Sequence, residues 1–239
     1  MATVTPHGSA TDFPGITFYP RDESATIVIP PSAGTWEGFR QWALSDDFPE
    51  RGKVSFVAGE VLVDMSPESI DRHNFIKSEI CRVLAGFIRQ QKLGKFFIDG
   101  VLVSNKRAGV SNEPDALFLS YQTFRSGKVE LTPAKDHPSS HKEIVGTIDW
   151  AVEIVSPSSV RKDTVLLRKA YYQAGVGEYW LIDALGDEID FQILVPSEKE
   201  YVAVVAEAGW LASPTFGKSF KLERAIDEEG FLEYTLQMQ

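Results

Sequence analysis

The sequence predicts an α/β domain: a mixed central β-sheet flanked by helices, with an N-terminal β-hairpin and extra C-terminal strands. Three observations carry this. Apolar residues alternate between strand and helix periods in the order hairpin, helix, three strands, helix, strand. The strand, helix, strand succession after Asp149 is that of a crossover, which packs a helix on the face of a sheet. Finally, 239 residues with 43% hydrophobic and 11% aromatic content are ample for a packed core.

The elements follow in order. Residues 1–33, rich in Pro, Ser, Thr and Gly, read as an extended arm, and 34–239 as one domain. Thr35 is placed to cap a short helix through "WEGFRQWAL". "KVSFVAGEVLVDMSP" reads as two alternating strands joined at Ala58-Gly59. From Ser69 to Gln91 the residues Phe75, Ile76, Ile80, Val83, Leu84, Phe87 and Ile88 recur at three- and four-residue spacing, the period of an amphipathic helix that ends near Gly94. "KFFIDGVLVS", "EPDALFLS" and "DWAVEIVS" read as three strands, the last two separated by a long polar loop, "YQTFRSGKVELTPAKDHPSSHKE". A helix over "DTVLLRKAYYQAG" follows, with Asp163 as N-cap and Gly175 near its end. "EYWLIDA" is the next strand, and "EIDFQILV", "EYVAVVAE" and "FLEYTLQ" form a closing meander.

Composition excludes several classes. No run approaches the roughly 20 apolar residues that span a bilayer, and the N-terminus lacks the basic and apolar regions of a secretory signal, so a cytoplasmic protein without membrane partners is expected. The single cysteine, Cys81, allows neither an internal disulfide nor a Cys-based zinc cluster. A net charge of -10 argues against coating nucleic acid by charge alone. The segment Arg72 to Arg107 is locally basic, however, and reads either as a solvated helix face or as a local site for DNA.

The chemistry centres on Glu153. Strand alternation sets Ala151, Glu153 and Val155 on one face and Trp150, Val152 and Ile154 on the other, so a carboxylate points where a core side chain belongs. Left unpaired there it costs several kcal/mol. The preceding strand brings a second acid, Asp115, and a divalent metal is one way to hold two facing carboxylates together. Mg²⁺ takes oxygen ligands and commonly only one or two protein carboxylates. The helix after Glu153 adds Arg161, Lys162, Arg168 and Lys169, of which Lys169 lies seven residues after Lys162, roughly two α-helical turns. A lysine so placed can orient water or stabilise charge in phosphoryl transfer. "SPSS" lacks a nucleophile elbow and reads as a turn.

The stretches "GEVLVDMSPES", "HNFI", "NEPDALFL", "WAVEIVSPSS" and "KDTVLLRKAYYQAGVGEYWLID", in order between Val54 and Leu194, resemble the Uma2 family within the PD-(D/E)XK nuclease superfamily. The resemblance implies a restriction endonuclease-like core of helix, three-stranded meander, helix and strand, and a Mg²⁺- or Mn²⁺-dependent endonuclease that hydrolyses phosphodiester bonds in DNA. It implies Asp115 and Glu153 as metal-holding acids, with the backbone carbonyl of Ile154 as a further ligand. Val155 stands where the superfamily's lysine is usual, so that role is expected to pass to Lys169, with Lys162 or Arg168 as substitutes. Glu79 stands where many nucleases of this superfamily add a carboxylate, with Glu60 as its rival, each of them also readable as a solvated or salt-bridged acid, and His73 also fits the family's pattern. Many nucleases of this superfamily are dimers, and a homodimer is compatible with the sequence. The competing reading is a catalytically idle nuclease fold that serves as a binding or scaffolding module.

Overall fold

The computed structural model describes residues 27–135, 137 and 139–239. Most of the expected arm, 1–33, lies outside these residues; its last part enters a single 3-10 turn, Pro31–Gly34. The Thr35 hydroxyl then accepts a hydrogen bond from the Gly38 amide (3.1 Å) and starts α1 (Trp36–Ala43), as a capping residue should. The hairpin forms as expected from β1 (Lys53–Val57) and β2 (Glu60–Asp64). Its two-residue turn puts Ala58 and Gly59 at φ of 53° and 86°, both left-handed, the conformation that matches strand twist.

Ser69 caps the next helix by accepting from the Arg72 amide (3.2 Å), and one π-type turn, Ile70–Asn74, leads into α2 (Phe75–Gln91). "KFFIDGVLVS" is not one strand. Asp99 and Gly100, at φ of 41° and 62°, break it into β3 (Gly94–Ile98) and β4 (Leu102–Asn105), which belong to different sheets. Next come β5 (Val110–Asn112) and β6 (Ala116–Ser120). The stretch expected to be a long loop is structured: Ser120 caps α3 (Tyr121–Ser126), and the alternating "VELTP" pairs as β7 (Val129–Pro133) with β8 (His141–Gly146). Then follow β9 (Trp150–Ile154), a π-type stretch (Lys162–Leu167), α4 (Arg168–Ala174) and β10 (Glu178–Asp183). The chain closes with β11 (Asp190–Pro196), β12 (Tyr201–Ala203), β13 (Leu211–Ser213), β14 (Lys218–Ile226) and β15 (Leu232–Met238).

The central sheet has the order β12-β11-β10-β9-β6-β3 and is mixed: β3, β6 and β9 form an antiparallel meander, and α4 returns the chain so that β10 runs parallel to β9. A second mixed sheet, β2-β1-β5-β4-β8-β7, takes in the hairpin, and a third, β13-β14-β15, lies toward α2. No helix among the described residues is long and apolar enough to cross a membrane.

Alternation along the central sheet builds two cores. Ala116, Phe118, Trp150, Val152, Ile154, Trp180 and Ile182 pack against Ile76, Ile80, Leu84 and Ile88 of α2 and Phe220, Tyr234 and Leu236 of the third sheet. Leu117, Leu119, Ala151, Val155, Tyr179 and Leu181 face the other way, toward α4 and the hairpin sheet. Glu153 shares this second face. Trp150 anchors the first core, its ring 5.2 Å from Trp180 and 5.6 Å from Phe216 in edge-on contacts. Replacing Trp150 with Ala should lower stability by about 3–5 kcal/mol, read as a lower urea midpoint at unchanged slope. A loss under about 1 kcal/mol would contradict this packing.

Candidate active site

Two adjacent strands set the acids. The β6–β9 ladder ends with Ala116 opposite Val152, so the next step of the register places Asp115 opposite Glu153. The Ile154 amide donates to Asp115 Oδ2 (2.8 Å), which locks one carboxylate onto the other's strand. Both acids are 2% exposed. They lie in the wall of a cavity of about 1020 Å³ between the hairpin, the segment before α2 and the turn that follows β9.

Asp115 is met by cations. Lys53, the first residue of β1, donates to its Oδ1 at 2.8 Å, and Lys77 of α2 lies 3.6 Å from the same oxygen. His73 Nε2 is 3.2 Å from Oδ2, and its Nδ1 is 3.2 Å from Glu68. Burial works against a charge on Asp115, but His73, Lys53 and Lys77 overcome it and hold the carboxyl well below its usual range. Burial likewise opposes the imidazolium, yet Asp115 and Glu68 raise His73 to about 9. His73 thus stands between two carboxylates that favour its charged form. Glu68 is held low mainly by His73, against burial, with help from Lys53 and Lys77.

Glu153 is treated differently. Its Oε1 accepts from Tyr171 Oη (2.7 Å) and from Asn112 Nδ2 (2.9 Å), and Ser55 in turn donates to Asn112 Oδ1 (2.6 Å). Its Oε2 faces Lys162 Nζ at 3.7 Å. Burial raises the Glu153 carboxyl to about 8, with Lys162 pulling the other way and Asp163 and Asp115 adding to the rise. The two opposed acids thus titrate far apart, a pattern common at catalytic sites. Lys162 also lies 3.2 Å from Asp163 Oδ1, and these two acids keep its ammonium protonated despite burial.

Several sequence expectations are placed elsewhere. Lys169 is exposed and lies outside the cavity wall, whereas Lys162 stands in it. The cause is the helix: π-type turns over Lys162–Leu167 close i→i+5 hydrogen bonds, so seven residues no longer bring two side chains to the same face. Arg168 donates to the Tyr201 carbonyl (3.1 Å) and braces α4. Asp163 is not the N-cap; the helix already begins at Val160, and the Asp163 carboxylate accepts from the Ser159 hydroxyl. Glu79 is bound to Arg82 and accepts from the Leu236 amide (2.9 Å), which ties α2 to β15 away from the cavity. Glu60 makes an exposed two-pronged pair with Arg161 (2.9 Å each). The side chain of Ile154 packs in the α2 core, so its backbone is what the cavity meets. Arg72 donates to the carbonyls of Ala184, Leu185 and Gly186, and so braces the fold.

Lys53, Glu68, Lys77, Asn112 and Tyr171 were not singled out as site residues. Only Lys77 carried a local signal: a lysine beside Ile76, three residues before Ile80, on the apolar face of α2.

A divalent ion fits the Asp115–Glu153 pair better than the Glu68, His73, Asp115 group, whose ligand atoms lie within 4.8 Å of one another. In that group an imidazolium and two ammonium groups already fill the positions between the carboxylates. Around Glu153 the balance is opposite. A buried carboxyl raised to about 8 marks a place short of positive charge, and its Oε2 accepts no hydrogen bond among the described residues.

The central sheet, its crossover helix and the paired acids define a protein of nuclease-like α/β fold. The chain belongs to the Uma2 family, described as "Putative restriction endonuclease", whose pattern matches residues 36–225. Among solved structures it is similar to "a putative nuclease belonging to DUF820" from Anabaena variabilis, with a TM-score of 0.56 and 17% identity over 77% of this chain and 90% of that one. No curated protein matches it.

In the metal-free protein, Glu153 and His73 both have raised values, so each contributes stability at low pH that is lost as pH rises. For Glu153 the loss spans from the ordinary 4.5 to about 8, and for His73 from 6.5 to about 9. Unfolding free energy should therefore fall across this window, and Glu153→Gln should flatten the lower part of the slope. Identical pH profiles for the two proteins in chelator-treated urea titrations would refute the placement of Glu153.

Proposed function

We propose that this protein is a metal-dependent endonuclease that hydrolyses phosphodiester bonds in DNA. The observation that carries the reading is the pair of buried acids, Asp115 and Glu153, opposed on β6 and β9 in the wall of one cavity, with Lys162 beside Glu153. Asp115, Glu153 and the backbone carbonyl of Ile154 would hold Mg²⁺ or Mn²⁺. When bound, the ion supplies Lewis acidity toward a phosphoryl oxygen.

The protein's own groups do the rest. Tyr171 and Asn112 fix the Glu153 carboxylate by hydrogen bonds to one oxygen, which leaves the other directed at Lys162. Lys162, whose charged form is favoured by Glu153 and Asp163 beside it, can orient a water molecule or offset charge developing on the phosphate. Lys53 and His73 hold Asp115 ionised and in place. Arg161 lies in the cavity wall, where an exposed guanidinium can meet a phosphate once it leaves Glu60.

The idle-module reading draws support from the cavity wall itself, where seven carboxylates (Asp64, Glu68, Asp99, Glu113, Asp115, Glu153 and Asp163) outnumber Lys53, His73, Arg161 and Lys162. Nicking of supercoiled DNA separates the two. Activity is expected with Mn²⁺ or Mg²⁺ and not with EDTA, and Asp115→Ala and Glu153→Ala should each abolish it. Lys162→Ala should lower the rate by about 10²–10³, while Lys169→Ala should leave it within about threefold. No nicking under any metal would favour the module, and a Lys169 effect as large as that of Lys162 would overturn the lysine assignment.

A further inference from the structure

The carboxylates grouped with Asp115, Glu68 and Asp99, are already supplied with charge. Lys53 Nζ lies 2.8 Å from Glu68, 2.8 Å from Asp115 and 3.8 Å from Asp99. Lys77 Nζ lies 2.7 Å from Glu68, 2.9 Å from Asp99 and 3.6 Å from Asp115. Two ammonium groups are thus shared among the same three acids. They come from separate parts of the chain, one from β1 and one from α2, while the acids come from the segment before α2, the β3–β4 turn and the residue before β6. Lys77 is buried on a helix whose neighbouring Ile76 and Ile80 are core residues, so the group belongs to the interior and not to a solvated face. His73 adds a third cation between Glu68 and Asp115.

Hydrolases that use two metal ions hold them about 3.5–4 Å apart, so that both the attacking and the leaving oxygen are met by positive charge. A carboxylate shared between two ions is the usual bridge, and Asp115 has the corresponding position here, between Glu153 on one side and the Lys53 group on the other. We infer that Lys53 and Lys77 are fixed charges standing where a second divalent ion would otherwise sit, so that the site takes a single metal ion. Lys53 lines the cavity and Lys77 does not, so Lys53 is the group that presents this second charge to a phosphate. The inference rests on the metal reading of Asp115 and Glu153 proposed above.

The test is the number of Mn²⁺ ions bound per metal-free full-length chain, measured by calorimetric titration and by electron paramagnetic resonance of the bound ion. Wild type should bind one ion. The double variant Lys53→Met, Lys77→Met should bind one more, with the two ions showing dipolar coupling. Glu68→Gln, which removes a partner of Lys53, Lys77 and His73 and not a direct partner of Asp115 or Glu153, should change Mn²⁺ affinity by less than the roughly tenfold or more that losing a direct partner of a metal ligand costs. Two ions in wild type, no gain in the double variant, or a larger loss in Glu68→Gln would overturn the inference. If wild type binds none, the metal reading of Asp115 and Glu153 fails and the inference with it, whereas two ions in wild type or no gain in the double variant overturns the inference alone. If circular dichroism shows the double variant unfolded, wild-type stoichiometry and Glu68→Gln decide.

Discussion

Two almost fully buried carboxylates face each other across adjacent strands in the wall of one cavity, and most of what surrounds them answers that constraint. At this depth their repulsion is screened far less than in water, and both cannot carry charge without compensation. Asp115 is compensated by cations: Lys53 from the hairpin, His73 from the segment before α2 and Lys77 from α2 itself. Glu153 is compensated by hydrogen bonds from Asn112 and Tyr171, by Lys162, and by a strong preference for its proton. The hairpin sheet, the first long helix and the crossover helix each contribute to one acid or the other. The site is therefore a joint product of the central sheet, the hairpin sheet and the two helices.

Its location follows from the topology. Glu153 is the penultimate residue of β9, which runs parallel to β10, and the turn after it carries Ser156, Ser158 and Ser159 into the cavity wall. Crevices outside the carboxyl ends of parallel strands are the common position for ligands in open α/β sheets, because the chain there must leave the sheet for its helix. The apolar neighbours Val152 and Ile154 stay in the opposite core and hold the strand rigid, while the alternate face turns its one polar side chain into the open space. Packing on one face thus fixes the aim of the acid on the other.

Much of this was legible in the chain. The alternation that puts Glu153 opposite to Trp150 and Val152, the Ala58-Gly59 turn, the Thr35 cap and the long helical period of α2 are local patterns, and each forms as its residues suggest. Elsewhere the local pattern is ambiguous. "KFFIDGVLVS" is one apolar run by composition but two strands because Asp99 and Gly100 take left-handed conformations. The 121–143 stretch is polar because α3, β7 and β8 bury only part of their surfaces, and polarity alone suggested a loop. An α-helical count puts Lys169 on the face of Lys162, but the turns between them are of π type.

Periodicity and a charge misplaced in an apolar strand are local properties of the chain, so the α/β class, the helical period of α2 and the burial of Glu153 could be read from it, whereas the full order of elements could not. The partners of Asp115 and Glu153 were decided only by tertiary structure. Lys53, His73 and Lys77 reach Asp115 from 62, 42 and 38 positions away in the chain, and Asn112 and Tyr171 reach Glu153 from 41 and 18. No local period records such distances. They are set when the hairpin sheet closes over the central one, because a buried carboxylate accepts whichever donors the packing brings within about 3 Å of it.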